Sequence, residues 1–353
     1  MEKKYRYLCL DDEDIQATID RINGDNLEIT LREPQNFEKV INSNLTEWDG
    51  LILDYRLDQN QENQGVHYKA PSLAQEIRNK ITEGEIIKDL PIVLCSMEPR
   101  VKKLNLDETS NDLFDFRFIK EPELNVEWIR NTLVSLAEGY IQITKSRENI
   151  SDMIQRNIAE IDDRVFAKFI DSEYPVHEIA RYINRLIADE TGVLISKDVL
   201  LARLGLVNDD ISKELIDSYF NDCKYSGVFA HSDRWWMDRI NNRFKEFSSN
   251  RALAGLNAIQ RVNYLKNATG LDLADAKPIE RSKSNRFWTV CAYTKRPLDP
   301  IEGFKLVKEP LFIWSEPRYI SMYAIAKYVH HTKEYTLSPS EKQRVELELE
   351  DIE

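Results

Sequence analysis

In Trp48-Asp49-Gly50-Leu51-Ile52-Leu53-Asp54-Tyr55-Arg56-Leu57 an apolar run stops at a carboxylate. Leu51-Ile52-Leu53 is short and wholly apolar, the pattern of a strand buried on both faces of a parallel sheet. Asp54 stands where such a strand emerges at its C-terminal end. In open α/β sheets that edge is where ligands and chemistry sit. An isolated acid there more often caps the next helix. Three further stretches argue against so plain a role.

Tyr5-Arg6-Tyr7-Leu8-Cys9-Leu10 reads as a strand and runs straight into Asp11-Asp12-Glu13-Asp14. Adjacent acids repel one another, and a hard divalent cation such as Mg²⁺ is their natural partner, because it prefers carboxylate oxygens. Leu90-Pro91-Ile92-Val93-Leu94-Cys95-Ser96 is another buried-strand pattern, ending in a hydroxyl. Phe116-Arg117-Phe118-Ile119-Lys120 ends in an ammonium. Strands alternating with helical stretches predict an α/β fold with a doubly wound parallel sheet. That sheet would gather the polar strand ends into one site.

Residues 1 to about 145 thereby resemble the receiver domain of two-component response regulators. The resemblance implies five parallel strands with five helices, and it assigns roles by position. Asp11 and Asp12 match the metal-binding acidic pair, and Asp54 matches the phosphoacceptor that also touches the metal. The backbone carbonyl of Arg56 completes the metal shell, Ser96 matches the switch hydroxyl, and Lys120 matches the family's cation. It further implies Mg²⁺ as cofactor and a sensor histidine kinase or phosphotransfer protein as phosphodonor. Activity would extend to phosphoryl acceptance and autodephosphorylation, not to an enzyme of another class.

The chain also departs from that pattern. Glu121 intervenes between Lys120 and Pro122, where the family has Pro directly after its Lys. Arg117 occupies the aromatic switch position. The loop Asp58-Gln59-Asn60-Gln61-Glu62-Asn63-Gln64-Gly65 is long and polar before a helix near Ser72–Ile77. These departures keep open a non-phosphorylated pseudo-receiver that acts as a scaffold, in a bacterial accessory or defence system.

At 353 residues the chain has room for two or three domains. Its 42% hydrophobic and 31% charged residues fit a globular protein, and a net charge of −13 disfavours broad nonspecific nucleic-acid binding. A strand begins within the first few residues and no apolar run spans a membrane, so no signal peptide, no membrane partner and a cytoplasmic location are expected. Cys9, Cys95, Cys223 and Cys291 are scattered, suggesting neither a disulfide framework nor a zinc motif.

The expected organisation is a receiver-like domain over 1–145, a connecting helix over 146–165, a helical region over 166–250, an α+β output region over 251–336 and an acidic tail over 337–353. Gly139 either ends the last receiver helix or is tolerated within it. Ile150, Met153, Ile154, Ile158 and Ile161 continue a helical period, which serves a homodimer interface or packing on the chain's own second domain. Ser196 and Gly205 bracket a helix as N-cap and C-terminal glycine, and Asp209, Asp210 or Ser212 begins another. Tyr225–Ala230 and Arg234–Met237 suggest a hairpin, giving a winged-helix-like order.

The candidate recognition helix, however, carries Asp209, Asp210, Glu214, Asp217 and Asp222 against Lys213, and would be repelled by phosphates. Phe287–Tyr293 alternates like a strand and Arg296–Pro300 reads as a turn. Lys277, Arg281, Lys283, Arg286, Lys295 and Arg296 lie among aromatics, an arrangement shared by nucleic-acid surfaces and by snorkelling cations on a sheet. His330-His331 lack a second zinc-spaced pair. The Glu-rich end is expected to be disordered, or a docking strand or helix. The expected function is an atypical response regulator with a protein output partner. A DNA-binding transcriptional regulator is the alternative.

Overall fold

Five strands form one parallel sheet: β1 (Tyr5–Leu10), β2 (Leu27–Arg32), β3 (Gly50–Leu53), β4 (Ile92–Ser96) and β5 (Phe116–Ile119). Their order is β2-β1-β3-β4-β5. The chain goes outward from β1 to β2, then returns past β1 to β3, so a crevice opens beyond the C-terminal ends of β1 and β3. The register pairs Leu10 with Leu53. The next residues, Asp11 and Asp54, therefore leave the sheet side by side. The computed structural model describes residues 3–58, 66–97, 112–120, 124–147, 149–169, 173–188, 191–307, 314–328 and 336–350. Two units are distinguished, Met1–Arg185 with Ser226–His231, and Leu186–Tyr225 with Ser232–Glu353.

Both faces of the sheet are covered, which is why its strands carry apolar residues at successive positions. On one face Leu8, Leu10, Leu51, Leu53, Ile92 and Leu94 pack with Val40 and Ile41 of α2 (Phe37–Ile41) and with Leu73, Ala74 and Ile77 of α3 (Ala70–Thr82). On the other, the Tyr7 hydroxyl donates to the Leu133 carbonyl of α4 (Val126–Lys145) at 2.7 Å. Gly50 has no side chain because a Cβ there would lie 2.1 Å from the Tyr7 ring. Arg130 of α4 donates to the carbonyls of Arg21, Ile22 and Asn23, closing the end of α1 (Gln16–Ile22). Each fully buried Leu or Ile contributes roughly 1.5–3 kcal/mol to this packing.

At the opposite edge of the sheet a buried ion network replaces apolar contact. Arg78 of α3 donates to Asp89 and to Asp115, each at 2.8 Å, and to the Leu90 carbonyl at 2.9 Å. Asp89 also accepts from the backbone N–H of His177 at 2.7 Å and lies 2.7 Å from its Nδ1. Asn184 donates to the Asp115 carbonyl at 2.9 Å. The helix Val176–Ala188 is thus held by polar contacts at its start and near its end.

α4 runs through Gly139, which is tolerated rather than terminal. The continuous connecting helix expected beyond it is not formed. Residues 149–166 carry instead the short helix Ile150–Ile154, a 3-10 turn at Ile158–Glu160 and the helix Asp163–Phe166. Gln155, with φ 51°, turns the chain left-handed, and Asn157 and Asp162 each cap a new start.

The second unit is mainly helical and then mixed. Ser196 caps Lys197–Leu204 and Gly205 closes it with φ 79°. Asp209 accepts from Ser212 N–H to start Asp210–Tyr219. Met237–Phe247 and Ala258–Thr269 complete the helical part. The expected 225–230/234–237 hairpin is corrected: Arg234–Trp236 pairs antiparallel with Leu194–Ser196, and only the single bridge Lys224↔Trp235 joins it from the other side. Phe229 adopts φ 62°, which no strand permits.

Further on, the strand read over Phe287–Tyr293 shrinks to Thr289–Val290, paired with Pro297–Leu298 inside the stretch read as a turn. Gly303–Lys305 and Tyr319–Ser321 pair next. The disorder expected at the C-terminus is also corrected, because Pro339–Glu350 is a helix. Val345 and Leu349, one turn apart, reach the core around Phe304 and Ile320, while Leu347 stays exposed. Among the described residues no helix is long and apolar enough to cross a membrane.

Candidate functional site

The carboxylates of Asp11, Asp12 and Asp54 lie within 4.8 Å of one another at the C-terminal edge of the sheet. Asp11 and Asp54 are only 2% and 1% exposed, so their charges are held away from water. Local backbone fixes both. Asp11 Oδ1 accepts from Glu13 N–H at 3.0 Å, and Asp54 Oδ2 accepts from Arg56 N–H at 2.8 Å. The other oxygen of each faces Lys120, whose Nζ stands 2.6 Å from Asp11 Oδ2 and 2.9 Å from Asp54 Oδ1. Glu13 adds a looser contact at 3.9 Å.

Lys120 reaches this position because its own N–H continues the ladder beyond β5, donating to the Ser96 carbonyl at 3.0 Å. Ser96 itself is fully buried at the end of β4. Its hydroxyl has no hydrogen-bond partner among the described residues, a donor and acceptor held in reserve at the site.

The electrostatics follow from burial against pairing. Burial pushes Asp11 up from 3.8 to about 6, although the hydrogen bond and charge of Lys120 work against it. Burial by itself would pull Lys120 down, but Asp11 and Asp54 raise it well above the ordinary lysine value. One ammonium thus stands among several carboxylates, which leaves the cluster negative. Its donors are hard oxygens, the set that suits Mg²⁺ and not a thiophilic metal. Burial also raises the nearby thiols of Cys9 and Cys95, which keeps them protonated.

The structure therefore brings together Asp11, Asp12, Asp54 and Lys120, with Ser96 on the adjoining strand end. Arg56 contributes its backbone N–H, while its side chain turns to Asp58 at 2.6 Å. Arg117 lies with its guanidinium 5.9 Å from the Phe114 ring centroid. Gln59–Gly65, Glu121, Pro122, His330 and His331 fall outside the described residues. Glu13 was visible in the acidic run, yet only the fold shows that it faces Lys120. In the second unit the acidic helix Asp210–Tyr219 pairs Asp210 with Lys213 at 2.8 Å.

Strand order, acids after β1 and β3, a hydroxyl at the end of β4 and a lysine after β5 give the N-terminal unit a receiver-domain-like fold. No protein-family model matches the chain, and no curated protein matches it. Among solved structures it is similar to a chain of the Saccharomyces cerevisiae co-crystal of the phosphotransfer protein Ypd1 with the receiver domain of Ssk1. That match has 13% identity, covers 39% of this chain and 91% of that one, and has a TM-score of 0.28. It is similar to full-length FixJ from B. japonicum (12% identity, 52% and 89% covered, TM-score 0.29). A streptococcal redox sensor described as evolved from response regulators gives 11% identity, 55% and 95% covered, and a TM-score of 0.31. At such scores these are likenesses only, and the assignment rests on the chain's own strand order and strand-end residues.

Proposed function

We propose that the chain is an atypical response regulator, in which Asp54 accepts a phosphoryl group and the second unit engages a protein partner. The carrying observation is the Lys120 ammonium placed 2.6 Å from Asp11 and 2.9 Å from Asp54, at the C-terminal edge of a five-stranded parallel sheet. A carboxylate oxygen of Asp54 attacks the phosphorus of a phosphohistidine, and the P–N bond breaks with its electron pair going to the imidazole. The product is an acyl phosphate. Mg²⁺ held by Asp11, Asp12, Asp54 and the Arg56 carbonyl would neutralise charge on the transferring group. Lys120 exchanges part of its bond to Asp54 for a phosphoryl oxygen, and the unsatisfied Ser96 hydroxyl donates to another. The phosphodonor is then a histidine kinase or phosphotransfer protein.

The test is incubation of the whole chain with acetyl phosphate and Mg²⁺, read as the intact-mass gain of one phosphoryl group. The gain is expected in the native chain and absent in Asp54→Asn. A native chain that stays unmodified, and also fails to bind beryllofluoride, would overturn the proposal.

A further inference from the structure

Away from the acidic site, within the second unit, two arginines are buried with too little negative charge around them. Arg203, in the helix Lys197–Leu204, is 0% exposed, and Arg261, in the helix Ala258–Thr269, is 1% exposed. Their guanidinium carbons lie 4.5 and 5.8 Å from the centroid of the same ring, Trp288. Arg261 donates only to neutral acceptors, the carbonyls of Leu253 at 3.0 Å, Arg203 at 2.9 Å and Phe287 at 2.7 Å. Carbonyls satisfy its hydrogen bonds and leave its charge uncompensated.

Arg203 has one acid beside it. Its Nε donates to the Trp288 carbonyl at 3.0 Å and its Nη2 to Glu316 Oε2 at 2.5 Å. Its Nη1 is buried and has no hydrogen-bond partner among the described residues. The hydroxyl of Ser315, next to Glu316 in the chain, is a second buried group without one. A guanidinium and an oxyanion pair best through two parallel N–H···O bonds, and here half of that fork is empty. Buried donors left in this state are rare, because each keeps its desolvation cost. Glu316 thus fills the place of an anion without fitting it. Its side chain is 32% exposed while that of Arg203 is 0%, so the carboxylate is the outer member of the pair and can swing into water. Its backbone need not follow. Glu316 N–H donates to the Thr191 carbonyl at 2.7 Å, and Gly192 lets the two segments meet, since a Cβ there would lie 2.6 Å from the Trp314 carbonyl oxygen.

The local field agrees with this geometry. Burial pulls Arg203 below the usual arginine value in spite of Glu316. Burial and the charges of Arg203 and Arg286 pull Arg261 down to about 10, while Asp299 opposes them. Around the two buried guanidinium groups, then, the acting charges are Arg286, Asp299 and Glu316. Three cations face two acids, and with Glu316 swung out the excess is two positive charges.

We propose that Arg203 anchors a binding site for a small phosphate dianion, which displaces the Glu316 carboxylate and accepts from Nη2 and the empty Nη1 together. The departing carboxylate vacates the space, and Ser315 offers a hydroxyl from the same segment. A dianion matches the excess charge, which a carboxylate would only halve.

The experiment is isothermal titration calorimetry of the full chain with sodium phosphate near pH 8, in chelator, at constant ionic strength set with chloride. Without Mg²⁺ the negative cluster around Asp54 repels phosphate and does not compete for it. Saturable binding of one phosphate per chain is expected. It should tighten about tenfold or more in Glu316→Gln, which removes the competing charge, and weaken about tenfold or more in Arg203→Lys, which keeps the charge and loses the fork. Circular dichroism reports whether Arg203→Lys folds, and Glu316→Gln, altered at a partly exposed position, decides the matter if it does not. Glycerol 3-phosphate competes if the ion is the end of a larger molecule and fails if the site takes the free ion, and both outcomes keep the dianion as ligand. Absence of saturable heat in the native chain and in Glu316→Gln would overturn the proposal, as would Glu316→Gln binding no tighter or folded Arg203→Lys binding equally well. So would acetate displacing phosphate at equal concentration, since the site would then read a carboxylate.

Discussion

Lys120 Nζ stands 2.9 Å from Asp54 Oδ1 while the same ammonium contacts Asp11, so one cation holds two nearly inaccessible carboxylates together. Removing the cation from a buried, net-negative charge group leaves its carboxylates uncompensated, at a cost of about 3–5 kcal/mol. Lys120→Met is therefore expected to lower stability by about that amount without Mg²⁺. The ion should restore much of the loss, because it replaces the missing positive charge. Urea denaturation with and without Mg²⁺ checks this. A variant as stable as the native chain in chelator would show that the carboxylates do not depend on Lys120.

A second consequence concerns pH. Asp11 rises from an ordinary 3.8 to about 6 in the fold, so between these values the folded chain holds a proton that the unfolded chain has released. Stability then falls as pH rises through that window. The group's contribution is fully present below about 4 and lost above about 6. Asp11→Asn removes the ionisation. In Mg²⁺-free buffer it should flatten this part of the stability profile and stabilise the chain at pH 7 by roughly 2–3 kcal/mol, from two pH units at 1.36 kcal/mol each. Thermal melts from pH 4 to 7.5 supply the profile, and an unchanged slope in the variant would contradict the assignment.

The notch at Gly139 gives a sign reversal that packing alone predicts. A Cβ there would lie 2.2 Å from the Phe229 ring, and that residue is buried with φ 62°. Alanine in a helix interior normally gains about 1 kcal/mol over glycine. Here overpacking should cost about 1–3 kcal/mol and outweigh it. With Phe229→Ala as the background the obstacle is gone, and Gly139→Ala should then stabilise. A double-mutant cycle in urea measures both signs. Destabilisation of equal size in both backgrounds would mean that Phe229 is not the reason for the glycine.

The sheet was legible because its strands are apolar on both faces and each stops at a polar residue, so Asp11, Asp54, Ser96 and Lys120 marked both the strand ends and the site. Buried polar structure was not legible. Nothing in the spacing of Arg78, Asp89, Asp115 and His177 announces a network, since its members come from separate elements. The second unit was misread where strands are short. Three-residue strands such as Leu194–Ser196 give no alternation to count, and their partners are fixed by packing. For the terminal segment, disorder, strand and helix all stay open in the sequence because alternating Glu, Leu and Val suits several states until Val345 and Leu349 find a core.

The last expectation concerns the switch. In the proposed phosphorylated state Ser96 turns its buried hydroxyl to the new group. An aromatic ring at position 117 would follow by rotating into the space vacated. Arg117 stands there instead, its guanidinium 5.9 Å from the ring centroid of buried Phe114. A guanidinium keeps its charge and cannot enter an apolar pocket as a ring does. Beryllofluoride with Mg²⁺ is thus expected to bind and protect the strand ends around Asp54 and Lys120, yet to alter exchange across the rest of 112–120 only slightly. Arg117→Tyr should enlarge that response. Hydrogen exchange with and without the mimic separates the outcomes. If the native chain already shows a large change across β5, the signal passes through this strand without a rotating ring, and Arg117 is no barrier to it.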